Sequence, residues 1–538
     1  MSHFHFTLQG RLGKGSILLG LPMGFCLWYT LKIADMDRNG FLTIPGHPIF
    51  ESSDICFVIL CAGISILVIQ TLALFLLNHE SDGIPGTGRN WGFCAGLMFL
   101  YQLLFLLAFY PAPGMNDTFN MAKYSAEAII QFPWFPSLLY GIGNQWSERL
   151  WGSGEPSFFL ISVLQLVIYS LTLTKICFWI REHIDKRSGM LLYLYFLLCP
   201  IVGNYAIAAV RDGIFSLSIL LWMWLIFIAL ERGQWGKKEY MLFIAASMGL
   251  MLLRSNGTAV SLCMTVLVCC FVRKWKKIML TGLVCAAIAI IPGRIILGNM
   301  GLEPLFQEGV GVPLQQAGRV IATEGQMSQE SRDFMNKLLP YDEWKKEYRP
   351  YTVDFVKGSP EFNRYWMNTS KQEFIENWIS MGIQNPRTYI EGWFLETYTL
   401  WAVFPRGYSP QSRFGWAMTD ENVNGMQSDD NDKLAVGDFP MPEPVKYFLA
   451  KFQYEGSVFF GSGFCLWATI ILCFSFFVAH RERIIWTAAP LFINTATLLV
   501  STPACFAFRY SFAYVLGIPF LLVLLLRGKR LIAQQVKN

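Results

Sequence analysis

Residues 213–230 read GIFSLSILLWMWLIFIAL, an uncharged apolar run of 18 residues that follows Arg211 and Asp212. A membrane-spanning helix needs about 17–25 mostly apolar residues, so this run predicts a span. Comparable runs occur at residues 16–33, 54–77, 91–110, 156–180, 189–204, 239–253, 257–272, 278–297, 455–479, 484–502 and 509–526. The sequence therefore predicts an all-α polytopic membrane protein with about 12 transmembrane helices.

The composition of the 538-residue chain agrees with this prediction. Hydrophobic residues make up 54% of the sequence and charged residues 15%, whereas an average soluble domain carries roughly 25% charged residues. The mean hydropathy is +0.39. These values exclude a soluble enzyme and a disordered protein. The 13 cysteines are scattered without a CxxC pair, so neither a zinc site nor a disulfide framework is predicted.

Basic residues are concentrated in alternate loops between the predicted spans. The positive-inside rule makes the side that carries these loops cytoplasmic, and both termini then lie on that side. The chain is therefore predicted to be a multi-pass protein of the cell (plasma) membrane. The basic residues on the inner side are Arg11, Lys14, Arg89, Arg181, Lys186, Arg187, Arg232, Lys237, Lys238, Arg273, Lys274, Lys276, Lys277, Arg481, Arg483, Arg527, Lys529 and Arg530.

Two outer loops are long, and the second is too long for a connector, so it should form a folded unit of its own. Four regions result. They are two N-terminal helices in residues 1–90, a transmembrane module in 91–297 with an outer loop at 111–155, a mostly helical extracytoplasmic domain in 298–454, and C-terminal helices with a short cytoplasmic tail in 455–538.

The first outer loop begins with YPAPGMNDT, residues 110–118. Its two prolines and its glycine stop the preceding helix at the membrane surface. Asp117 is then expected at or just above that surface, where it is also placed to cap a short helix that begins near Thr118. A carboxylate at the depth of a lipid phosphate is suited to act as a general base or to ligate a divalent ion. A capping role alone is the alternative.

Arginines stand at the outer ends of three predicted spans, at Arg211, Arg254 and Arg509. Charges inside spans are costly, and membrane orientation does not explain basic residues on this side. The planar fork of arginine suits phosphate oxygens, so these residues are candidate phosphate ligands. The alternatives are that they extend to outer headgroups or pair within the membrane, for example Arg211 with Asp212 or Asp117.

A third signal lies at the entry to the large outer domain, in VPLQQAGR at residues 312–319. It predicts the start of a polar, amide-bearing helix close to the membrane. A purely structural role for this helix is the alternative.

Six segments, in order over about residues 90–530, resemble the GT-C superfamily of polytopic membrane glycosyltransferases. The resemblance is closest to a poorly characterised Gram-positive bacterial branch. The matching segments are residues 110–117, 132–136, 211–215, 252–257, 313–319 and 509–510. Two features depart from the family: two spans precede the leading span of the catalytic loop, and the loop has Asn116-Asp117-Thr118 in place of a full DxD pair.

The resemblance implies a GT-C-like fold and an inverting enzyme of cell-envelope polysaccharide biosynthesis. Such an enzyme transfers a sugar from a polyprenyl-phosphate-linked donor to a cell-surface glycan or lipid-linked acceptor on the outer face. Asp117 is implied as the catalytic residue, and the absence of a DxD pair leaves open whether it also binds a divalent cation, Mg or Mn. No nucleic-acid partner is expected. The implied donor phosphate ligands are Arg211, Arg254, Arg319 and Arg509, and the other implied pocket residues are Asp212, Asn256, Gln315, Gln316 and Tyr510.

Two other classes of function are compatible with the same sequence. A transporter or flippase of lipid-linked glycans predicts polar residues along a path through the middle of the bilayer, whereas the charged candidates here cluster at outer span ends. A non-catalytic GT-C-like assembly protein would use its outer domain for binding alone. Both alternatives stay open on the sequence.

Overall fold

The computed structural model describes residues 9–528, except residue 46 and the segments 404–415, 419–435, 458–460 and 502–506. The described residues are mostly helical. A two-stranded antiparallel pair joins β1 (Pro113–Gly114) to β2 (Trp416–Ala417). Residues 529–538 of the predicted cytoplasmic tail lie outside the described residues.

Eight of the described helical segments are long and apolar enough to cross a membrane, so the chain is a polytopic helical membrane protein. This confirms the class predicted from hydropathy. The eight segments are Gly10–Arg38, Ser52–Asn78, Trp91–Ala108, Glu155–His183, Arg211–Arg232, Trp275–Asn299, Glu482–Ser501 and Phe508–Arg527.

The remaining four predicted spans form shorter or broken helices. Residues 189–204 fall in two helices, Lys186–Leu198 and Pro200–Ile207, whose axes differ by 61°. The predicted spans 239–253, 257–272 and 455–479 correspond to the helices Lys237–Met251, Gly257–Cys269 and Ser462–Val478, of 15, 13 and 17 residues. At 1.5 Å per residue they measure about 20–26 Å, less than the roughly 30 Å of a bilayer core. The total of twelve spans therefore stays a prediction.

The two N-terminal helices, α1 (Gly10–Arg38) and α2 (Ile55–Asn78), form a hairpin whose backbones lie close together. A Cβ atom added at Gly24 would lie 2.3 Å from the Cα atom of Ala62, and one added at Gly20 would lie 2.3 Å from Cγ1 of Ile66. Small residues four positions apart permit this kind of approach between membrane helices. Their connection contains the short 3-10 helices Phe41–Thr43 and Ser52–Asp54.

We expect Gly24→Ala to lower the free energy of unfolding by about 1–3 kcal/mol, because the added methyl group must push the two backbones apart. Gly63→Ala is the matched control, since a Cβ atom there meets no atom within 4 Å. Thermal unfolding of both variants in detergent would test this prediction. Equal stabilities of the two variants would contradict it.

The central module continues from α3 to α13 and is built around one buried helix. That helix, α10, contains the apolar run 213–230. Of an 18-residue apolar stretch of this helix, 94% is buried inside the protein. The helices are α3 (Trp91–Ala108), α4 (Asn116–Ala122), α5 (Ala126–Gln131), α6 (Trp134–Trp151), α7 (Glu155–His183), α8 (Lys186–Leu198), α9 (Pro200–Ile207), α10 (Arg211–Arg232), α11 (Lys237–Met251), α12 (Gly257–Cys269) and α13 (Trp275–Asn299).

The large polar insertion folds into short helices around a core of its own, which includes Leu314, Trp344 and Phe374. Helix α20 also packs on the N-terminal hairpin, where the rings of Tyr29 and Trp401 lie 5.0 Å apart. The helices are α14 (Gly311–Ala322), α15 (Gln329–Leu338), α16 (Tyr341–Glu347), α17 (Asp354–Gly358), α18 (Arg364–Thr369), α19 (Lys371–Gln384) and α20 (Pro386–Trp401).

The C-terminal helices return to the central module. Helix α21 (Glu443–Gly456) contains the predicted boundary of the outer domain at residue 454. It packs against α3 and α9, and the Gln453 amide donates to the Pro200 carbonyl over 2.8 Å. The helices that follow are α22 (Ser462–Val478), α23 (Glu482–Ile485), α24 (Ala489–Ser501) and α25 (Ala513–Arg527), with a 3-10 turn at Phe508–Ser511.

Candidate functional site

Asp117 lies between two of the predicted arginines. Its Oδ2 atom accepts hydrogen bonds from Nη2 of Arg211 at 3.2 Å and from Nη1 of Arg509 at 2.8 Å. The two arginines come from the first turn of α10 and from the 3-10 turn before α25. The fold thus brings together three charges that are far apart in the sequence.

A second ion pair adjoins the first. The Arg254 guanidinium donates to Oδ1 of Asp212, and the other oxygen of Asp212 lies 4.0 Å from Nη1 of Arg509. Asp212 is 1% exposed, so it is fully enclosed by protein. Arg254 lies over the ring of Tyr510 at 4.2 Å and that of Phe215 at 5.5 Å. We call Asp117, Arg211, Asp212, Arg254 and Arg509 the charge cluster.

The loop that carries Asp117 is fastened to the segment immediately before Arg211. The amide of Ala209 donates to the Pro113 carbonyl, and the Thr118 hydroxyl donates to the Ala209 carbonyl, each over 2.8 Å. Helix α4 begins at Asn116 and its N-cap residue is Met115. Asp117 therefore lies in the first turn of the helix and is not its cap, contrary to the sequence-based alternative.

A break between α9 and α10 places Arg211 and Asp212 at a helix start. The break leaves backbone carbonyls without helical partners, and such groups need other donors inside a membrane protein. The side-chain amide of Gln165 on α7 donates to the carbonyls of Tyr205 at 2.8 Å and Ala208 at 2.7 Å. The Tyr169 hydroxyl donates to the Gly213 carbonyl over 2.7 Å. Helix α7 thus stabilises the backbone that presents both charges.

Arg254 reaches the charge cluster from the connection between α11 and α12. Its neighbour Asn256 donates through its amide to Oδ1 of Asn494 at 3.2 Å and to the hydroxyl of Thr497 at 2.9 Å. Asn494 in turn donates to the backbone carbonyl of Tyr510 over 3.1 Å. Hydrogen bonds therefore join the Arg254 turn to α24 and to the segment that holds Arg509.

The charge cluster contains three guanidinium groups and two carboxylates, so its formal charge is +1. Burial alone would raise the pKa of Asp117, but the charges of Arg509 and Arg211 outweigh it and hold the pKa below the usual value for aspartate. Asp117 is thus ionised at neutral pH. Nε and Nη1 of Arg211 and Nε of Arg509 are buried without a hydrogen-bond partner among the described residues.

Three predicted ligands lie elsewhere, in the outer domain. Arg319 donates to Oε2 of Glu391 at 2.8 Å and to the Leu42 carbonyl at 3.0 Å. Gln315 and Gln316 donate to the backbone carbonyls of Arg349 at 2.6 Å and Tyr389 at 3.1 Å. The structure does not bring these three residues to the charge cluster, because the folded outer domain uses their polar groups to hold its own helices and the α1–α2 connection.

We expect Arg319→Met to lower the free energy of unfolding by about 1–3 kcal/mol, because it leaves the partly buried Glu391 carboxylate without its closest ion-pair partner and the Leu42 carbonyl without its donor. Arg387→Met is the matched control. Arg387 also pairs with Glu391, at 3.1 Å, but is 59% exposed, so its loss should cost less than about 1 kcal/mol. Thermal unfolding would measure both changes, and equal losses would contradict a structural role specific to Arg319.

The charge cluster does not suit a divalent cation. The described residues contain no group of three or more His, Cys, Asp or Glu side chains placed to hold a metal ion. Asp117 and Asp212 are the two carboxylates here, and both already face arginines. Mg²⁺ and Ca²⁺ need several oxygen ligands, and three guanidinium groups would repel the ion. We therefore assign no step to a metal.

Several residues of the site were not predicted from the sequence. The ring of Phe132 lies 4.9 Å from the Arg211 guanidinium, and Met115 Sδ lies 2.9 Å from Nη1 of Arg509. Asn494 and Thr497 complete the support of Arg254. Asn494 could have been selected from the sequence, because an amide inside an apolar span is costly unless it has a hydrogen-bond partner.

Comparison with curated proteins gives no match. Comparison with solved structures gives no match either. A family model described as a family of unknown function, DUF6020, matches residues 130–538, about three quarters of the chain. The matched part contains Arg211, Asp212, Arg254 and Arg509, and Asp117 lies 13 residues before its start. The chain belongs to the DUF6020 family.

Proposed function

We propose that this protein is an integral membrane glycosyltransferase of the GT-C type. It transfers a sugar from a polyprenyl-phosphate donor to a glycan or lipid-linked acceptor, with inversion at the anomeric carbon. One observation carries the proposal: a carboxylate and two incompletely bonded arginines, from three distant segments, meet at one end of the helix bundle. This reaction requires a general base for the acceptor hydroxyl and ligands for the donor phosphate.

Arg211 and Arg509 are the proposed donor ligands. Three of their N–H-bearing nitrogens are buried without a hydrogen-bond partner among the described residues, and arginine binds oxyanions such as phosphate through its fork. The phosphate gains negative charge as the bond to the sugar breaks, so fixed cations stabilise the transition state more than the ground state. Arg254 has a different role, because its guanidinium is committed to Asp212 and to two aromatic rings. It positions Asp212.

Asp117 is the proposed general base. The acceptor hydroxyl attacks the anomeric carbon and transfers its proton to the Asp117 carboxylate while the bond between that carbon and the phosphate oxygen breaks. The products are the new glycoside and a polyprenyl phosphate. Direct displacement from the opposite face inverts the configuration of the sugar. Asp117 is suited to this role because it is ionised and, at 23% exposure, is the more accessible of the two carboxylates.

The charge cluster lies at the end of the bundle opposite the basic loops. Arg211 and Arg232 stand at the two ends of α10, about 30 Å apart at 1.5 Å per residue. Arg509 and Arg527 are separated in the same way by α25. The positive-inside rule makes the basic end cytoplasmic, which supports a plasma-membrane enzyme that acts on the outer face.

The proposal is tested with the full-length chain in proteoliposomes. Polyprenyl-phosphate sugars, each labelled in the sugar, are supplied with cell-envelope extract as the source of acceptor. We expect one donor to lose its label to the acceptor fraction while polyprenyl phosphate accumulates. A folded protein that consumes no donor from a panel of hexose, pentose and amino-sugar derivatives would overturn the proposal.

A further inference from the structure

The two arginines that the proposed function gives to the donor phosphate are the same two that now hold Asp117. Both donate to one oxygen, Oδ2 of Asp117, at 3.2 Å and 2.8 Å. The charge cluster thus joins the proposed base to the proposed phosphate ligands, although the reaction needs the base free and the arginines on the phosphate.

The geometry of Arg211 brings a phosphate into competition with Asp117. A guanidinium has two forked edges, Nε with Nη2 and Nη1 with Nη2. Nη2 therefore belongs to both forks, and in Arg211 it is the nitrogen that donates to Asp117. The nitrogens without partners are Nε and Nη1. Because Nη2 carries two hydrogens, one on each edge, a phosphate either displaces Asp117 from the edge that it occupies or binds the other edge, which puts both anions on the same nitrogen.

Asp117 is the carboxylate that can move away. Asp212 is 1% exposed and is fixed by Arg254, which itself lies over two rings. Asp117 is on α4, a helix of seven residues, and its side chain is 23% exposed. Rotation of that side chain separates it from Arg211 and Arg509 without breaking the backbone contacts of the loop.

We propose, as an extension that rests on the proposed function, that Asp117 and the ligand phosphate compete for Arg211 and Arg509, so that binding of the phosphate releases the carboxylate that then serves as the base. Two anions on the same guanidinium groups repel each other, so each weakens the interaction of the other with the arginines. The phosphate makes Asp117 a better proton acceptor, and Asp117 weakens phosphate binding.

Competition predicts an unusual result: removing the charge of the proposed catalytic residue should strengthen ligand binding. We expect Asp117→Asn to bind phosphate about 5- to 150-fold more tightly than the unaltered chain, the usual range for coupling between two sites. Isothermal titration calorimetry measures this with the full chain in phosphatidylcholine nanodiscs. The probes are inorganic phosphate and farnesyl phosphate. A greater affinity for farnesyl phosphate than for inorganic phosphate identifies the ligand as a lipid-borne phosphate, and equal affinities identify it as a free phosphate. Competition predicts the same gain in affinity for Asp117→Asn in either case.

Three further variants separate competition from other effects. Glu148→Gln makes the same chemical change on the same outer loop at an exposed residue whose side chain accepts from Asn144, and it should leave affinity unchanged. Asp117→Glu keeps the charge and should bind like the unaltered chain. Asp117→Ser replaces the Asn variant if thermal unfolding shows that the latter does not fold.

The outcomes are distinct. Unchanged or weaker binding by Asp117→Asn would overturn the competition and leave the phosphate site in place. Absence of binding by every folded variant would overturn the competition together with the proposed function. Tighter binding by Glu148→Gln as well would show a general charge effect and would also overturn it.

Discussion

Asp117→Asn should reduce sugar transfer by about 10²–10⁴-fold, the usual contribution of a positioned general base. The amide keeps the shape of the side chain and can still accept from Arg211 and Arg509, but it does not take a proton from the acceptor hydroxyl. The rate of label transfer from a saturating donor in proteoliposomes measures the loss. Because the same substitution should tighten phosphate binding, the defect must appear in turnover and not in donor affinity.

Glu148→Gln is again the control for Asp117→Asn, and it should transfer sugar at the unaltered rate. Thermal unfolding of both variants establishes that the chain is folded. Normal transfer by a folded Asp117→Asn protein would remove Asp117 from the mechanism, and the charge cluster would then be a structural network.

Arg509→Met should lower turnover by about 10²–10³-fold, the effect of removing one preorganised donor from a developing negative charge. Arg509 has the central position in the charge cluster. Its Nη1 atom lies 2.8 Å from Asp117 and 4.0 Å from Asp212, and its Nη2 atom donates to the Tyr510 hydroxyl at 2.8 Å. The variant removes the cation that faces both carboxylates and the proposed phosphate.

Arg509→Lys separates charge from geometry, because lysine keeps the positive charge and loses the fork. It should fold better than Arg509→Met and still transfer sugar more slowly than the unaltered chain. Arg483→Met, at an exposed residue of α23 at the opposite end of the bundle, is the control and should be normal. Full activity of Arg509→Lys would show that charge alone is required at this position.

Local hydropathy predicted the long helices well. All eight segments of spanning length among the described residues coincide with predicted apolar runs, and the run 213–230 forms the buried central helix α10. The shorter runs 239–253 and 257–272 were harder to interpret. An apolar run of this length has the same sequence pattern whether it crosses a bilayer or packs as a shorter helix, and its neighbours decide between the two.

The candidate site was predicted unevenly. Asp117, Arg211, Arg254 and Arg509 were selected because each charge stands at an end of an apolar segment, and the structure brings these four together. Arg319 was selected from the family resemblance, in a polar helix at the entry to the outer domain, but it pairs with Glu391, 72 residues further along the chain. The residues around an arginine do not reveal whether its partner is a distant carboxylate or a ligand. The catalytic role of the charge cluster stays a prediction.

The amino-acid sequence by itself determined that this is a helical membrane protein and where its long helices lie, because the transfer of apolar residues out of water depends on local composition. Only the tertiary structure decided which charges meet. Arg509 and Asp117 are 392 residues apart in the chain and 2.8 Å apart in space. Ion pairing depends on that distance in space, and the packing of all the helices sets it.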